Sequence, residues 1–414
     1  MTYLRDLSVA HRTVFLRVDF NVPLDDAGVI TEDARIKAVL TTIEYLVQQK
    51  ARVIIGSHLG RPDGAVVESM RLRPVAQRLE ELLGMPVKYV EDCIGSVVDD
   101  AKAALADGEI LLLENLRFHK GEEANDMHFA ENLSQNIDVY INDAFGAIHR
   151  KHASVHALPS LIFDKGAGFL LEDELRALSR VAHQPEKPFA IIVGGMKLTD
   201  KVKVIEHLAP VADVVLVGGG VANTFLRAAG TVIGKSKIEA PKTKKDGTVK
   251  DPLQDAVRIL ETVGAVPATL VVDDMPAAKK VVLPVDVVVS TAIDAAAPTR
   301  VIDLESETVS DEEMILDIGP KTQALYAQII GRAKTVFWNG PMGLFEQEAF
   351  RAGSAAVAKA VAESEAYSVL GGGDTESLIS TVELTGSFSH VSTGGGASLA
   401  YVAGDSLPGI EILE

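Results

Sequence analysis

The chain is poor in several things, and each shortage excludes something. Across 414 residues it holds one cysteine, Cys93, so an internal disulfide is out of the question and a reducing compartment is expected. Cys93 itself reads as a small buried residue rather than a nucleophile. Apolar runs are short, as in ILLL at 110–113 and VVLV at 214–217, far below the ~20 residues of a membrane span. The opening MTYLRDLSVAHR lacks an apolar core of signal length, so a cytoplasmic protein is expected. Basic residues are also in deficit: 40 Lys+Arg face 58 Asp+Glu, a net charge of −18. A chain this acidic has no field with which to grip nucleic acid without sequence preference. GxxxxGK[ST], GxGxxG and HExxH are all absent.

What is present is a repeating order of short β-branched runs, glycine or polar punctuation, and helical stretches. TVFLRV (13–18), RVIIG (52–56), ILLLEN (110–115) and DVYIND (138–143) mark the first half. FAIIVGG (189–195), DVVLVGGG (213–220), TVFWNGP (335–341) and YSVLGGG (367–373) mark the second. Near-continuous apolar runs suit parallel strands covered on both faces. Helical patterns at 35–49 and 72–84 lie between them, the latter closed by Gly84 as a C-cap. The fold class expected is therefore α/β, with two doubly wound, Rossmann-like parallel sheets. The length also favours two domains. The charged helical pattern over 170–184, ended by PEKP, marks the boundary, and APKTKKDGTVKDP (240–252) reads as an exposed excursion.

Open α/β sheets collect ligands at the carboxyl ends of their strands. After the early strands come Asp19, Phe20 and Asn21; then Ser57, His58, Leu59, Gly60 and Arg61; then Arg117 and His119; then His149, Arg150 and His152, with Arg35 opening a helix after the first loop. Guanidinium groups take phosphate and carboxylate oxygens in pairs, so the cluster suits a small di-anion. A metal site is the weaker reading, since the histidines lack a ligand spacing and the arginines would repel a cation.

In the second half glycine clusters close four strand patterns: Gly194–Gly195, Gly218–Gly220, Gly371–Gly373 and Gly394–Gly396. Glycine lets backbone N–H groups come close to a phosphate at a helix start. Lys197 and Lys201, spaced i and i+4, would share a helix face if a helix begins there, and could neutralise a phosphoryl group in flight. Asp374 suits Mg²⁺ as a hard oxygen donor, and Glu346 could accept from ribose hydroxyls.

Ten stretches in order carry a resemblance: RVDFNVP (17–23), SHLGRP (57–62), LLENLRFHKGEE (112–123), NDAFGAIHRKHAS (142–154), GGMKLTDK (194–201), GGGVANTFL (218–226), LDIGPKT (316–322), WNGPMGLFE (338–346), GGGDT (371–375) and STGGGASLAYVAG (392–404). By these the sequence resembles phosphoglycerate kinases along essentially its whole length. The resemblance implies reversible phosphoryl transfer between 1,3-bisphosphoglycerate and MgADP, by a monomer whose lobes close about a hinge. It implies an N-terminal 3-phosphoglycerate-binding domain at 1–172 and a C-terminal nucleotide-binding domain at 173–392, with an interdomain helix at 173–188 and a returning segment at 393–414.

By similarity, Asp19, Phe20, Asn21, His58, Leu59, Gly60, Arg61, Arg117 and Arg150 hold the glycerate substrate, and Arg35 faces the transferring group. Lys197, Lys201, Glu346, Gly372, Gly373, Asp374 and Thr375 hold the nucleotide, Asp374 with its Mg²⁺, and Arg35, Lys197 and Lys201 are the catalytic cations. His58 and His149 are expected to donate hydrogen bonds rather than shuttle protons. A non-catalytic anion-binding protein on the same fold is the alternative. Three departures from the family pattern stand out: Met196 where a small residue is usual, Ile315 where many members have glycine, and a longer region at 240–280.

Overall fold

A computed structural model describes residues 1–243, 246–266, 280–294 and 297–414. It separates into two compact units, Met1–Arg176 with Ser406–Glu414, and Ala177–Asp405. The division falls inside one continuous helix, Phe169–Ala182. The chain returns to the first unit only from Ser406, where the Gly409 N–H donates to the Ile148 carbonyl at 3.0 Å.

The first unit is built on six parallel strands: β1 (Thr13–Arg17), β2 (Arg52–Gly56), β3 (Val87–Tyr89), β4 (Ile110–Leu112), β5 (Val139–Asn142) and β6 (Asp164–Ala167), in the order β3-β4-β2-β1-β5-β6. Val14, Leu16, Val53, Ile55, Ile110 and Leu112 pack with Ile43, Leu46, Val75 and Leu79 of the helices Leu40–Gln48 and Arg73–Leu83. Phe15, Ile54 and Leu111 point the other way and are equally buried, which explains why these strands read as continuous apolar runs. Gly84 ends its helix in the left-handed region at φ 63°. The helix expected over 35–49 breaks instead into Ala34–Lys37 and Leu40–Gln48.

The second unit begins with β7 (Phe189–Val193) and β8 (Val214–Val217), followed by a hairpin of β9 (Lys242–Thr243) and β10 (Val249–Lys250). Then come β11 (Ala265–Val266), β12 (Val281–Val282), β13 (Asp286–Ser290), β14 (Thr299–Asp303), β15 (Met314–Ile318), β16 (Thr335–Asn339), β17 (Tyr367–Gly371) and β18 (His390–Val391). Seven of these form a parallel sheet in the order β11-β12-β8-β7-β16-β17-β18. Its core joins Ile192, Leu216, Val336, Trp338 and Leu370 to Tyr326, Ile330, Val357 and Val361.

A feature the sequence pattern did not announce is a separate antiparallel sheet, β14-β13-β15, closed over Leu226, Ile233, Val289, Ile302 and Ile315. The excursion at 240–252 is exposed along its hairpin strands. Part of the longer 240–280 region lies outside the described residues.

Both parallel sheets reverse direction at one place. In the first, the chain moves outward from β1 through β2 and returns to put β5 on its other side; in the second, β16 takes that position beside β7. Loops leaving such neighbouring strands diverge and open a crevice at their carboxyl ends.

Candidate active site

In the first unit β4, β2, β1 and β5 are neighbours, so the four loops carrying the basic residues emerge side by side. Arg35 Nη1 lies 2.8 Å from Asp19 Oδ2, and His58 Nδ1 lies 3.7 Å from Asp19 Oδ1. Burial alone would raise the Asp19 carboxyl, but the His58 ring and the Arg35 and Arg17 guanidiniums outweigh it and hold the group below the usual carboxylate range. Asn21 Oδ1 accepts from the Gly60 N–H at 2.8 Å, and the Gly60 carbonyl accepts from Arg117 Nη1 at 2.8 Å.

Gly60 adopts φ +66°, and a Cβ there would meet Met70 Sδ at 2.7 Å, so the loop can turn this tightly only with glycine. Asn115 Nδ2 fixes the next carbonyl back, that of Leu59, at 2.7 Å. The side chains of Phe20 and Leu59 are buried in the core, so these two residues offer backbone rather than side chain. Phe20 N–H is itself taken by Ser57 Oγ at 2.8 Å.

The cations here are short of partners. Arg117 is only 3% exposed; its Nε sits 3.3 Å from Glu123 Oε1 without hydrogen-bond alignment, and its Nη2 has no partner. Burial, with the charges of Arg150 and Arg17, pulls it down to about 10. The same crowding depresses the histidines: His58 falls well below its ordinary value through burial, His149 falls likewise, and His152 drops to about 3. These rings are therefore neutral near pH 7 and can donate a hydrogen bond but not a ready proton. Arg150 Nε approaches His149 Nε2 at 3.3 Å, and Arg61 is exposed at the end of its loop.

Beneath them lies an arrangement that reading along the chain missed. Arg17, fully buried at the end of β1, donates from Nε to Ser154 Oγ at 2.7 Å, and Ser154 Oγ donates to Glu122 Oε1 at 2.6 Å. Glu122 Oε2 also accepts the Ser154 N–H at 2.8 Å. Arg17 and Glu122 stand inside two of the quoted motifs, but nothing in their spacing says that they meet. A charge so buried persists only when paired and hydrogen-bonded, and this pair braces three segments under the cluster.

In the second unit the loops after β7, β8 and β16 converge, backbone against backbone. A Cβ on Gly194 would lie 2.0 Å from the Pro341 carbonyl oxygen, and one on Gly340 2.4 Å from the Gly194 oxygen. Gly219, at φ +58°, comes within 3.1 Å of both Gly195 and Pro341 by the same measure. The helices Gly219–Ala228 and Gly373–Thr381 both start at glycine without a side-chain cap; in the first, the Gly219 N–H donates to the Met342 carbonyl at 2.7 Å and the Val221 N–H to the Gly195 carbonyl at 3.1 Å.

Gly195, Gly219, Gly220 and Gly343, with Met196, Asn223, Lys237, Ile293, Met314, Ile315, Leu316, Pro341, Leu344, Glu346 and Asp374, line a largely apolar cleft of about 350 Å³. Both unusual residues, Met196 and Ile315, stand in its wall. Asn223, Lys237 and Met314 were not singled out in advance, because they lie outside the glycine loops or on the unforeseen antiparallel sheet.

The lysines differ from expectation. Their segment is not helical; the helix begins at Val202, with Lys201 as its flanking residue. Lys197 is exposed, and Lys201 Nζ turns back to the Lys197 carbonyl at 3.3 Å. Burial lowers Lys201, while the charges of Asp200, Asp374 and Glu239 oppose that fall. Gly372 takes φ +95° before the helix that carries Gly373, Asp374 and Thr375. Thr375 Oγ1 is buried, accepting from Gly340 N–H at 2.8 Å and donating to the Gly371 carbonyl at 3.0 Å, so its hydroxyl ties the β16 and β17 loops together. Gly394–Gly396 stand outside the cleft wall; Gly395, at φ +52°, precedes the short helix Gly396–Val402.

Residues 4–405 match the family model described as phosphoglycerate kinase. The chain belongs to the phosphoglycerate kinase family. It is 46% identical to the phosphoglycerate kinase of Moorella thermoacetica, covering 99% of this chain and 98% of that one. It is 45% identical to that of Herpetosiphon aurantiacus over the same shares. Among solved structures it is similar to phosphoglycerate kinase from Coxiella burnetii, with a TM-score of 0.86 and 38% identity over 100% of this chain and 98% of that one. The Pyrococcus horikoshii enzyme gives 0.83 and 37% over the same shares. As a family member the chain is an enzyme, a kinase. No helix among the described residues is long and apolar enough to cross a membrane.

Proposed function

We propose that the protein catalyses reversible transfer of a phosphoryl group between 1,3-bisphosphoglycerate and ADP, giving 3-phosphoglycerate and ATP. The observation that carries this reading is the under-partnered cation cluster of the first unit. Arg117 keeps buried donors with no acceptor, a state that costs free energy until an anion supplies the missing oxygens. Arg61, Arg117 and Arg150 would take the 3-phosphate, with neutral His58 donating one further bond. Asp19 and Asn21, with the Leu59–Gly60 backbone, would hold the glycerate. The nucleotide is assigned to the cleft of the second unit: apolar walls for the base, Glu346 for the ribose, and the glycine loops with Gly372, Gly373, Asp374 and Thr375 for the phosphates.

In the transfer the bond from phosphorus to the acyl oxygen breaks, and a bond to a terminal oxygen of ADP forms. No proton need move, because the leaving carboxylate is already a stable anion. What the protein must supply is alignment and positive charge, the role of Arg35, Lys197 and Lys201. Substrate and nucleotide are assigned to different units, so the lobes must close about the hinge for the transfer. Asp374 fits Mg²⁺: its carboxylate lines the cleft beside an uncapped helix start, and the ion would neutralise charge on the phosphates. The protein is further proposed to act as a cytoplasmic monomer on small molecules. The non-catalytic alternative has no support, since the expected cations are all present.

The test is a coupled assay with 3-phosphoglycerate and MgATP. Turnover that saturates in both substrates supports the reading, and its absence in a folded preparation rejects it.

A further inference from the structure

Glu239 is a buried carboxylate, 8% exposed, that the transfer described above does not use. It follows a segment held along the antiparallel sheet. Gly234 bridges Met314 of β15, the Lys235 N–H donates to the Glu313 carbonyl at 2.8 Å, and Ser236 Oγ accepts the Ile315 N–H at 2.8 Å. The Lys237 carbonyl in turn accepts Asn223 Nδ2 at 3.3 Å, from the helix Gly219–Ala228. The chain therefore arrives at Glu239 already fixed to a sheet and to a helix. From there both carboxylate oxygens reach one residue of the lysine segment. Oε2 accepts the Thr199 N–H at 3.0 Å, and Oε1 accepts the Thr199 hydroxyl at 2.6 Å. Burial alone would raise the Glu239 carboxyl, but these two bonds, with the charges of Lys242 and Lys197, hold it below its ordinary value. It is an anion near pH 7, and hydrogen bonds to an anion are the strong ones.

Thr199 stands midway between Lys197 and Lys201, in a stretch that is neither helix nor strand. The Lys201 N–H donates to the Leu198 carbonyl at 2.8 Å, which closes a turn with Thr199 at its corner. A lysine is a compact charge on a flexible stem, so the reach of its ammonium depends on where the backbone is held. Lys197 is exposed, and packing does little to place it. We propose that Glu239 is a positioning residue for phosphoryl transfer, holding this turn through Thr199 so that the ammoniums of Lys197 and Lys201 meet the phosphoryl group together. The carboxylate touches neither substrate nor nucleotide in this role. It acts through the backbone of the lysine segment, and a misplacement of about 1 Å at a reacting centre costs up to roughly 10²-fold in rate. Its charge, with those of Asp200 and Asp374, also opposes the fall that burial imposes on Lys201.

The inference rests on the assignment of the two lysines to the transfer, and its test separates the two. Turnover with 3-phosphoglycerate and MgATP is measured, beside melting curves, for the natural protein and for Glu239→Ala, Glu239→Gln, Thr199→Val and Lys197→Ala. Glu239→Ala should lower kcat by about 10- to 100-fold and leave KM for 3-phosphoglycerate, a ligand assigned to the first unit, unchanged. Glu239→Gln keeps the shape and an acceptor, and should recover most of that loss. Introduced into Lys197→Ala, the Glu239→Ala change should cost no more than about threefold, because residues that act as a unit are not additive. An equal loss in both backgrounds, or an unchanged kcat in Glu239→Ala, overturns the role of Glu239 while leaving the kinase reading intact. Should Glu239→Ala not fold, Thr199→Val carries the test, since it removes the hydroxyl bond and no charge. It should lower kcat by about tenfold, and an unchanged kcat overturns the proposal. An unchanged kcat in Lys197→Ala rejects the lysine assignment and this inference with it. No turnover in the natural protein rejects the kinase reading itself.

Discussion

Arg35 and Asp19 form a partly exposed ion pair, 2.8 Å apart, at the mouth of the basic cluster. The pair holds the guanidinium at the carboxyl end of β1 rather than free in solvent. Because Arg35 keeps about a third of its side chain exposed, the pair adds little to folding, so its value lies in placing the cation.

Arg35→Ala should therefore lower turnover by roughly 10²-fold, the scale for one transition-state donor, with little change in thermal stability. Lys197→Ala should do the same from the other unit. Steady-state kinetics beside a melting curve checks both, and an unchanged kcat in either variant would reject its assigned role.

Arg117 and Arg61 should part company on stability. Arg117 is buried among like charges, so Arg117→Met should leave the ligand-free protein as stable or more so. Its affinity for 3-phosphoglycerate should fall by roughly 10- to 100-fold, the worth of hydrogen bonds to a charged group. Arg61 is exposed, and Arg61→Ala should weaken the same ligand while moving stability by less than ~0.5 kcal/mol. Calorimetric titration and unfolding curves measure the two quantities separately; equal 3-phosphoglycerate affinity after either change would undercut the cluster.

Gly194→Ala tests the crossing of the β7 and β16 loops. A Cβ 2.0 Å from the Pro341 oxygen has no room, and the Pro341 and Gly340 oxygens it would meet are both backbone. Overpacking of this kind costs ~1–3 kcal/mol or more. The variant should lose nucleotide binding while still binding 3-phosphoglycerate in the first unit. Intact ATP-analogue affinity would show that the loops can separate without consequence.

Asp143 offers a pH prediction. Burial pushes its carboxyl up to about 7, and Oδ2 has no partner, although Oδ1 accepts the Leu171 N–H at 2.9 Å. Below about pH 4 the group is protonated both folded and unfolded. Above that the unfolded chain releases the proton while the folded chain keeps it to about pH 7, so stability falls as pH rises through this window. Asp143→Asn preserves the bond from Leu171 and removes the titration. Its stability advantage over the natural protein should grow between about pH 5 and about pH 8. A constant difference across that range, read from denaturant midpoints, would contradict the raised carboxyl.

The parts of this protein legible along the chain are those that depend on neighbours in sequence. Apolar runs such as FAIIV and VVLV become strands buried on both faces, because a parallel sheet covered by helices accepts nothing else. Arginines and glycines just after such runs fall at strand ends, which already points to an anion on one half and phosphates on the other. Tertiary structure decided the remainder. The Arg17–Glu122 brace joins residues 105 positions apart and exists only because β1 ends beneath the segment 120–123. Lys197 and Lys201 do not share a helix face, since the helix starts only at Val202. Asn223, Lys237 and Ile315 meet because an antiparallel sheet, invisible to the search for parallel strands, brings 233–237 against 315. Local pattern governs which elements form, whereas burial and pairing across distant segments govern which charges are left over, and it is the charges left over that bind.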